Sequence, residues 1–236
     1  MSKPFRFKKF QIHHDRCAMK VGTDGVLLGA VAGTGSPNRI LDIGTGTGLV
    51  ALMLAQRFPT ARIEAVEIDE SAFLQAKENV EGSPWGERVH IWHSPFQDFA
   101  KAWEKTFDLI VSNPPYFPNH LLSIDQKRNL ALHQKSLDFD ALAEGVSKLL
   151  EKAGVFWVIL PPRQMESLES ELQKRGLSPF FLLEICDRPQ KKIHRSIQGF
   201  SFLDRGFESR IISIKDTEGI YSKEYSDLLC DFLIIF

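Results

Sequence analysis

Arg39-Ile40-Leu41-Asp42-Ile43-Gly44-Thr45-Gly46-Thr47-Gly48 runs into Leu49-Val50-Ala51-Leu52-Met53-Leu54-Ala55-Gln56-Arg57. A short apolar run ends in three alternating glycines and gives way to an apolar helical pattern, which reads as strand, tight turn and helix. Glycines there let the backbone turn sharply and approach a ligand that a Cβ atom would exclude. The unit recurs downstream, with Arg62 to Glu67 as a strand and Glu70 to Val80 as a helix. Arg88 to His93 and Phe107 to Ser112 follow as strands with a short polar helix between them, then a helix near Leu137 to Lys152, a strand Val155 to Leu160 and a helix Arg163 to Arg175. Such alternation predicts an α/β fold, a mostly parallel twisted sheet with helices on both faces.

Beyond Gly176 the rhythm changes to three strands without helices between them, Phe180 to Ile185, Gln198 to Leu203 and Arg210 to Ile214, closed by a helix Lys223 to Asp231. This predicts an antiparallel edge. Residues 1–35 read as an N-terminal arm, with Phe5 and Phe7 alternating with Arg6 and Lys8 at strand period and a short helix from Asp24 to Ala32; residues 36–236 form the main domain.

The 236 residues suit one α/β domain, and 43% hydrophobic with 25% charged residues exclude a disordered chain. Lys plus Arg number 29 against 30 Asp plus Glu, so a polyanionic partner has to be met by a local patch. The longest apolar runs, Val155 to Leu160 and Phe232 to Phe236, are far shorter than the ~18 residues of a membrane span, and no apolar stretch follows the basic start. A cytoplasmic protein without membrane contact is expected. Cys17, Cys186 and Cys230 are odd in number and far apart, which predicts buried, reduced thiols. His13 and His14 point apart on a strand, and His90 and His93 lack a third ligand, so no metal is expected.

Leu49 stands where a dinucleotide fingerprint wants its third glycine. Asp42 would sit badly beside a pyrophosphate, yet suits a ligand carrying an ammonium and a sulfonium. Glu67, at the end of the second strand and 19 residues after Gly48, is placed to accept hydrogen bonds from ribose hydroxyls. Asp69 is assigned the N-cap of the next helix, with Ser71 as its rival.

Asp-x-Gly-x-Gly-x-Gly followed by this acid resembles the class I S-adenosylmethionine-dependent methyltransferases, over about Arg39 to Leu160. The resemblance implies a Rossmann-like fold and S-adenosylmethionine as cofactor, held by Asp42, Gly44, Gly46, Gly48, Glu67 and the adjacent Ile68. His93-Ser94-Pro95-Phe96 departs from the family by offering Pro95 where an acid often meets the adenine amino group. Backbone amides, Phe96 as an apolar wall, Gln97 or Asp98 remain for that contact.

The fourth strand runs into Ser112-Asn113-Pro114-Pro115-Tyr116. Two prolines fix φ and remove donors, leaving rigid acceptors. A planar NH2 group attacking a methyl sulfonium needs both hydrogens held, here by the Asn113 side-chain oxygen and the Pro114 carbonyl, while Tyr116 stacks on the flat group that carries it. No cysteine lies near this loop, which argues against carbon-5 methylation of pyrimidines. The motif resembles that of methyltransferases acting on adenine or guanine amino groups or on a glutamine amide.

Phe5-Arg6-Phe7-Lys8-Lys9-Phe10, then His14 to Gly29, together with Asn-Pro-Pro-Tyr-Phe and Tyr221 to Leu233, resembles the bacterial tRNA (adenine-N6)-methyltransferases that modify valine tRNA beside the anticodon. This resemblance implies tRNA as partner, with no obligate protein partner, and Lys20, Thr23 and Asp24 against the donor, beside Asn113. Residues 1–20 hold six Lys or Arg against one acid, interleaved with phenylalanines, a pattern that binds phosphates and stacks on bases. Arg6, Lys8, Lys9 and Arg16 are RNA candidates there, as are Arg128 and a second cluster containing Lys191, Lys192 and Arg195. Leu132 departs from the Ala-Arg-His that such relatives carry. The alternatives are a glutamine-N5 protein methyltransferase acting on a translation factor, whose usual N-terminal helical domain is replaced here by a short basic arm, and another rRNA or DNA amino-group methyltransferase.

Overall fold

The computed structural model describes residues 3–17, 20–115 and 138–236. In chain order the elements are β1 (Phe5–Arg6), β2 (Gln11–Ile12), α1 (Thr23–Val31), β3 (Arg39–Ile43), α2 (Leu49–Arg57), β4 (Arg62–Glu67), α3 (Glu70–Glu81), β5 (Val89–His93) and α4 (Phe96–Ala102). There follow β6 (Phe107–Ser112), α5 (Phe139–Leu149), β7 (Leu150–Leu160), α6 (Pro162–Gln173), β8 (Ser178–Cys186), β9 (Ile193–Ser201), β10 (Glu208–Ser213) and α7 (Lys223–Leu229).

Eight strands form one sheet in the order β10-β8-β9-β7-β6-β3-β4-β5. Every neighbouring pair is parallel except those made by β9, which is antiparallel to both β7 and β8. The antiparallel pairing expected beyond Gly176 is therefore confined to one reversed strand, with β8 and β10 outside it running with the rest. β9 also begins several residues before the expected Gln198. Its sequence has no apolar run because Ser196, Gln198 and Ser201 are buried in the sheet, with the Gln198 amide donating to Glu169 Oε2 at 3.0 Å.

The helix expected to reach Lys152 stops at Leu149, because Leu150 already pairs with Phe107 across an irregularity in the β6–β7 ladder. Gly154 allows that approach, since a Cβ there would lie 3.0 Å from the Phe107 carbonyl oxygen. The polar helix expected before β6 is α4, whose Phe96, Phe99 and Ala100 are buried.

The two sheet faces carry separate apolar clusters. One joins Leu27, Leu28, Leu52, Met53 and Leu229 with Phe7, Phe10 and Ile12 of the arm; the other joins Phe96, Phe99, Leu142, Val146, Leu168 and Leu172. Phe7 stacks on Phe10 at 4.4 Å, and Phe10 meets the edge of Trp85, so these two rings are core and only Phe5 of the three is exposed. α1 lies close against α2: a Cβ on Gly29 would sit 2.8 Å from Met53 Cβ. Among the thiols Cys186 alone is buried, while Cys230 is exposed, contrary to the expectation for all three. Among the described residues no helix is long and apolar enough to cross a membrane, and no group of three or more His, Cys, Asp or Glu side chains could hold a metal ion.

Candidate active site

The carboxyl ends of β3, β4 and β6 build the site. Gly44, Gly46 and Gly48 have φ of +70°, +58° and +81°, a region L side chains rarely enter, so glycine is required by conformation. A Cβ on Gly44 or Gly46 would meet nothing within 4 Å, which leaves open space above the loop. The loop hangs on β4, Gly44 N and Thr45 N both donating to the Val66 carbonyl at 2.9 and 3.1 Å.

Two carboxylates brace it. Asp42 is 1% exposed, and its Oδ2 accepts from Thr45 Oγ1 at 2.7 Å and Ala51 N at 3.2 Å, stitching the loop to the first turn of α2. Burial pushes its carboxyl up to about 7, against the lowering effect of those two bonds. Glu67 Oε2 accepts from Gly46 N at 2.8 Å, and Oε1 from Ile68 N and Asp69 N, each at 2.9 Å. A carboxylate offers about four lone-pair sites, and three are committed here. One remains for a hydroxyl, so a grip on two hydroxyls requires Gly46 N–H to share Oε2. Ile68 beside it is 43% exposed. Asp69 caps α3 by accepting from Ala72 N at 2.8 Å, the role assigned to it over Ser71.

β3 and β6 are parallel neighbours with Ile43 opposite Ser112, so the chain leaves their ends side by side into Gly44 and Asn113. Ser112 Oγ donates to the Ile43 carbonyl at 3.0 Å and locks the two ends together. Asn113 is half-buried, Pro114 buried and Pro115 exposed. Tyr116 and Arg128 lie outside the described residues. α1 approaches from the other side, where a Cβ on Gly25 would lie 3.9 Å from Asn113 Nδ2. Lys20 and Thr23 are exposed near the start of α1, and Asp24 Oδ2 accepts from Arg195 Nε at 2.7 Å. A residue expected at the donor and one expected at RNA are thus an ion pair joining α1 to β9.

Phe96 is a correction. It is 5% exposed and its ring packs so closely on α5 that a Cβ on Gly145 would lie 2.4 Å from it, so it belongs to the core and not to an adenine wall. At that strand end His93 stacks on Phe73, with its Nε2 3.2 Å from the Ile68 carbonyl oxygen.

The basic candidates separate into two groups. Lys8 donates to the Cys230 carbonyl at 2.5 Å, and Lys9 lines a cleft with Gln56, Arg57 and Phe58 at the C-terminal end of α2. At 1.5 Å per residue that end lies about 12 Å from the glycine loop. Arg6 is exposed on the paired β1, and Arg16 pairs with Glu78 at 2.8 Å. Lys191 and Lys192 instead sit in the β8–β9 turn, at the carboxyl edge of the sheet.

A pair of residues that the sequence reading passed over joins arm to loop. Gln75 and Asn79, 1% and 3% exposed, lie one turn apart on α3. Asn79 Oδ1 accepts from His13 N at 2.8 Å, while Nδ2 donates to the His13 and Thr47 carbonyls, each at 2.9 Å. Gln75 accepts from Arg16 N at 2.9 Å and donates to Asp15 at 2.8 Å. The arm is thereby laid along α3 toward Glu67. The signal was present in sequence as two amides within the apolar stripe of Ala72, Ala76 and Val80.

A sheet with one reversed strand, a glycine turn after β3, an acid at the end of β4 and Asn-Pro-Pro after β6 is the architecture of a class I methyltransferase. The chain belongs to the methyltransferase small domain family, whose model matches residues 20–165, and to the family of proteins named tRNA1(Val) (adenine(37)-N6)-methyltransferase. It is 42% identical to the protein of that name from Pedobacter heparinus, covering 100% of both chains, and 44% identical to that from Bacteroides thetaiotaomicron, covering 99% of both. A predicted O-methyltransferase, Atu636 from Agrobacterium tumefaciens, has a solved structure that superposes with a TM-score of 0.66 at 18% identity over 89% of this chain and 96% of that one, a likeness of fold.

Proposed function

We propose that this protein transfers a methyl group from S-adenosylmethionine to the N6 amino group of adenosine 37 in tRNA1(Val). The observation that carries the reading is the β3–β6 register, which sets the glycine loop and Asn113 at adjacent strand ends, about 4.8 Å apart. Donor and acceptor groups held by these two loops are in reach of each other.

The residues fit the donor. The open cradle over Gly44 and Gly46 admits a ligand against bare backbone, the free lone pair of Glu67 suits a ribose hydroxyl, and the exposed Ile68 offers an apolar face to adenine. Asp42, buried under the loop, favours a cationic ligand whenever it is ionised. When bound, S-adenosylmethionine supplies an electrophilic methyl group. Asn113 and the Pro114 carbonyl accept the two N–H bonds of the exocyclic amine, which turns the nitrogen lone pair toward that methyl. Catalysis is mainly positioning, because the proton leaves only after charge has developed on nitrogen. Tyr116 takes the flat base by stacking. Lys20 and Thr23, at the mouth of α1, belong to the donor side.

The test is incubation with labelled donor and unmodified tRNA1(Val), followed by nucleoside analysis, beside a transcript with guanosine at position 37. Label in N6-methyladenosine, lost with that transcript, is the expected result. Label confined to a protein fraction, in a glutamine side chain, refutes the reading in favour of an amide substrate.

A further inference from the structure

We infer that the β8–β9 turn is the phosphate-binding surface of this protein, seating the RNA backbone beside the target nucleotide; the inference rests on the RNA reading above. Topology places it. β8 runs with the parallel strands, so its end at Cys186 and the start of β9 at Ile193 both lie at the carboxyl edge, where the glycine loop and Asn113 lie. β9 and β8 stand two and three strands from β6, roughly 10–15 Å at 4.8 Å per strand. That is the reach of nucleotides flanking a base inserted at Asn113.

The charge is local and outward. Residues 187–195 hold Arg188, Lys191, Lys192 and Arg195 against the single acid Asp187, in a chain whose net charge is −1. Arg188, Lys191 and Lys192 are exposed, and with Asp187 and His194 they line one open cleft. The turn is shaped: Gln190 has φ of 64°, the one non-glycine among the described residues with positive φ, and Lys191 N donates to the Arg188 carbonyl at 3.1 Å. A left-handed residue at a turn tip is a strain that persists where its surroundings hold it. The base of the turn is tied to the site, because Arg195 binds Asp24 at the start of α1, one residue before Gly25 and its approach to Asn113. Across the turn, the Asp216 carboxylate is engaged by Glu218 N and Ile220 N.

The first basic residues of the arm carry comparable charge in the wrong place. Lys8 and Lys9 sit by Cys230 and by the far end of α2, at the amino edge of the sheet. Charge that neutralises phosphates beside the reacting base has to lie at the carboxyl edge.

The experiment compares affinity for unmodified tRNA1(Val) across a salt series for three proteins: wild type, Arg188→Ser/Lys191→Ser/Lys192→Ser, and Arg6→Ser/Lys8→Ser/Lys9→Ser. Donor binding by calorimetry checks that each variant is folded. Each phosphate contact contributes about 0.7–0.9 to the slope of log affinity against log salt, so the turn variant should flatten the slope by about 2–3 and weaken binding by tens of fold or more near 0.1 M salt. The arm variant should keep the wild-type slope. A turn variant with the wild-type slope, or an arm variant that loses as much, overturns the inference while leaving the methyltransfer reading intact. A wild type that binds no tRNA overturns both.

Discussion

Replacing Asn79 by Ala should loosen arm and glycine loop together. The side chain is 3% exposed and makes three hydrogen bonds, of 2.8, 2.9 and 2.9 Å, to His13 N–H, His13 C=O and Thr47 C=O. At about 0.5–1.5 kcal/mol for each bond lost, the change should destabilise the protein by roughly 2–4 kcal/mol. For a chain of this size that corresponds to a fall in Tm of roughly 5–15 °C. Thr47 lies between Gly46 and Gly48, so donor affinity should fall several-fold in the same variant. The isosteric Asn79→Asp separates hydrogen bonding from space filling. It keeps the volume and the bond from His13 N–H, yet turns a carboxylate oxygen toward two carbonyl oxygens, and at neutral pH it should be no more stable than the alanine variant. Urea unfolding of the three proteins with donor titration by calorimetry is the assay. An alanine variant within 0.5 kcal/mol of wild type, or an aspartate variant as stable as wild type, refutes the clamp.

Asn113→Ala should lower turnover by orders of magnitude while donor affinity stays within a few fold, since the role proposed for Asn113 is on the acceptor amine; near-normal turnover in single-turnover assays contradicts this. Glu67→Gln replaces an acceptor of three backbone N–H bonds by a group with its own N–H, and each charge-assisted bond lost should cost about 1.5–3 kcal/mol, so Tm and donor affinity should drop together; calorimetry showing neither change sinks the double role. Asp42 has a carboxyl raised by burial to about 7, so the folded chain binds its proton more tightly than the unfolded chain between about pH 4 and 7. Its contribution to stability is therefore largest below that window, falls by at most about 1.4 kcal/mol per pH unit as pH rises through it, and is level above pH 7. Asp42→Asn should lack that slope, so the stability difference between variant and wild type in urea unfolding should change between pH 5 and 7.5, and parallel curves count against it. Gly29→Val should overpack the α1–α2 contact and destabilise by about 1–3 kcal/mol, with Met53→Ala recovering part of the loss; strict additivity in the double mutant rules out direct contact.

The strands β3, β4 and β6 were legible to the residue, and the reason is local. Each is a buried parallel strand whose apolar run ends at a chemistry-bearing turn, so the pattern and its punctuation coincide. The same locality exposed Asp42, the three glycines, Glu67 and Asn113-Pro114-Pro115, since glycine spacing and proline stiffness are properties of a few consecutive residues. The boundary between α5 and β7 was misread because Leu150 is committed by its ladder to Phe107, a partner distant in sequence.

Local pattern alone therefore gives the alternation of elements, the glycine turn after β3 and the Asn-Pro-Pro segment after β6. Contacts between distant segments settled which side chains are spent on the fold. Phe96 turned into the core because α5 crosses beneath it, Gln75 and Asn79 became a clamp because the arm climbs α3, and Asp24 met Arg195 because β9 returns beside α1. It also sorted two basic clusters of similar composition into opposite edges of one sheet. Charge can be counted along a chain, but the edge it reaches depends on strand direction, and the direction of β8 and β9 is set by pairings between segments distant in sequence.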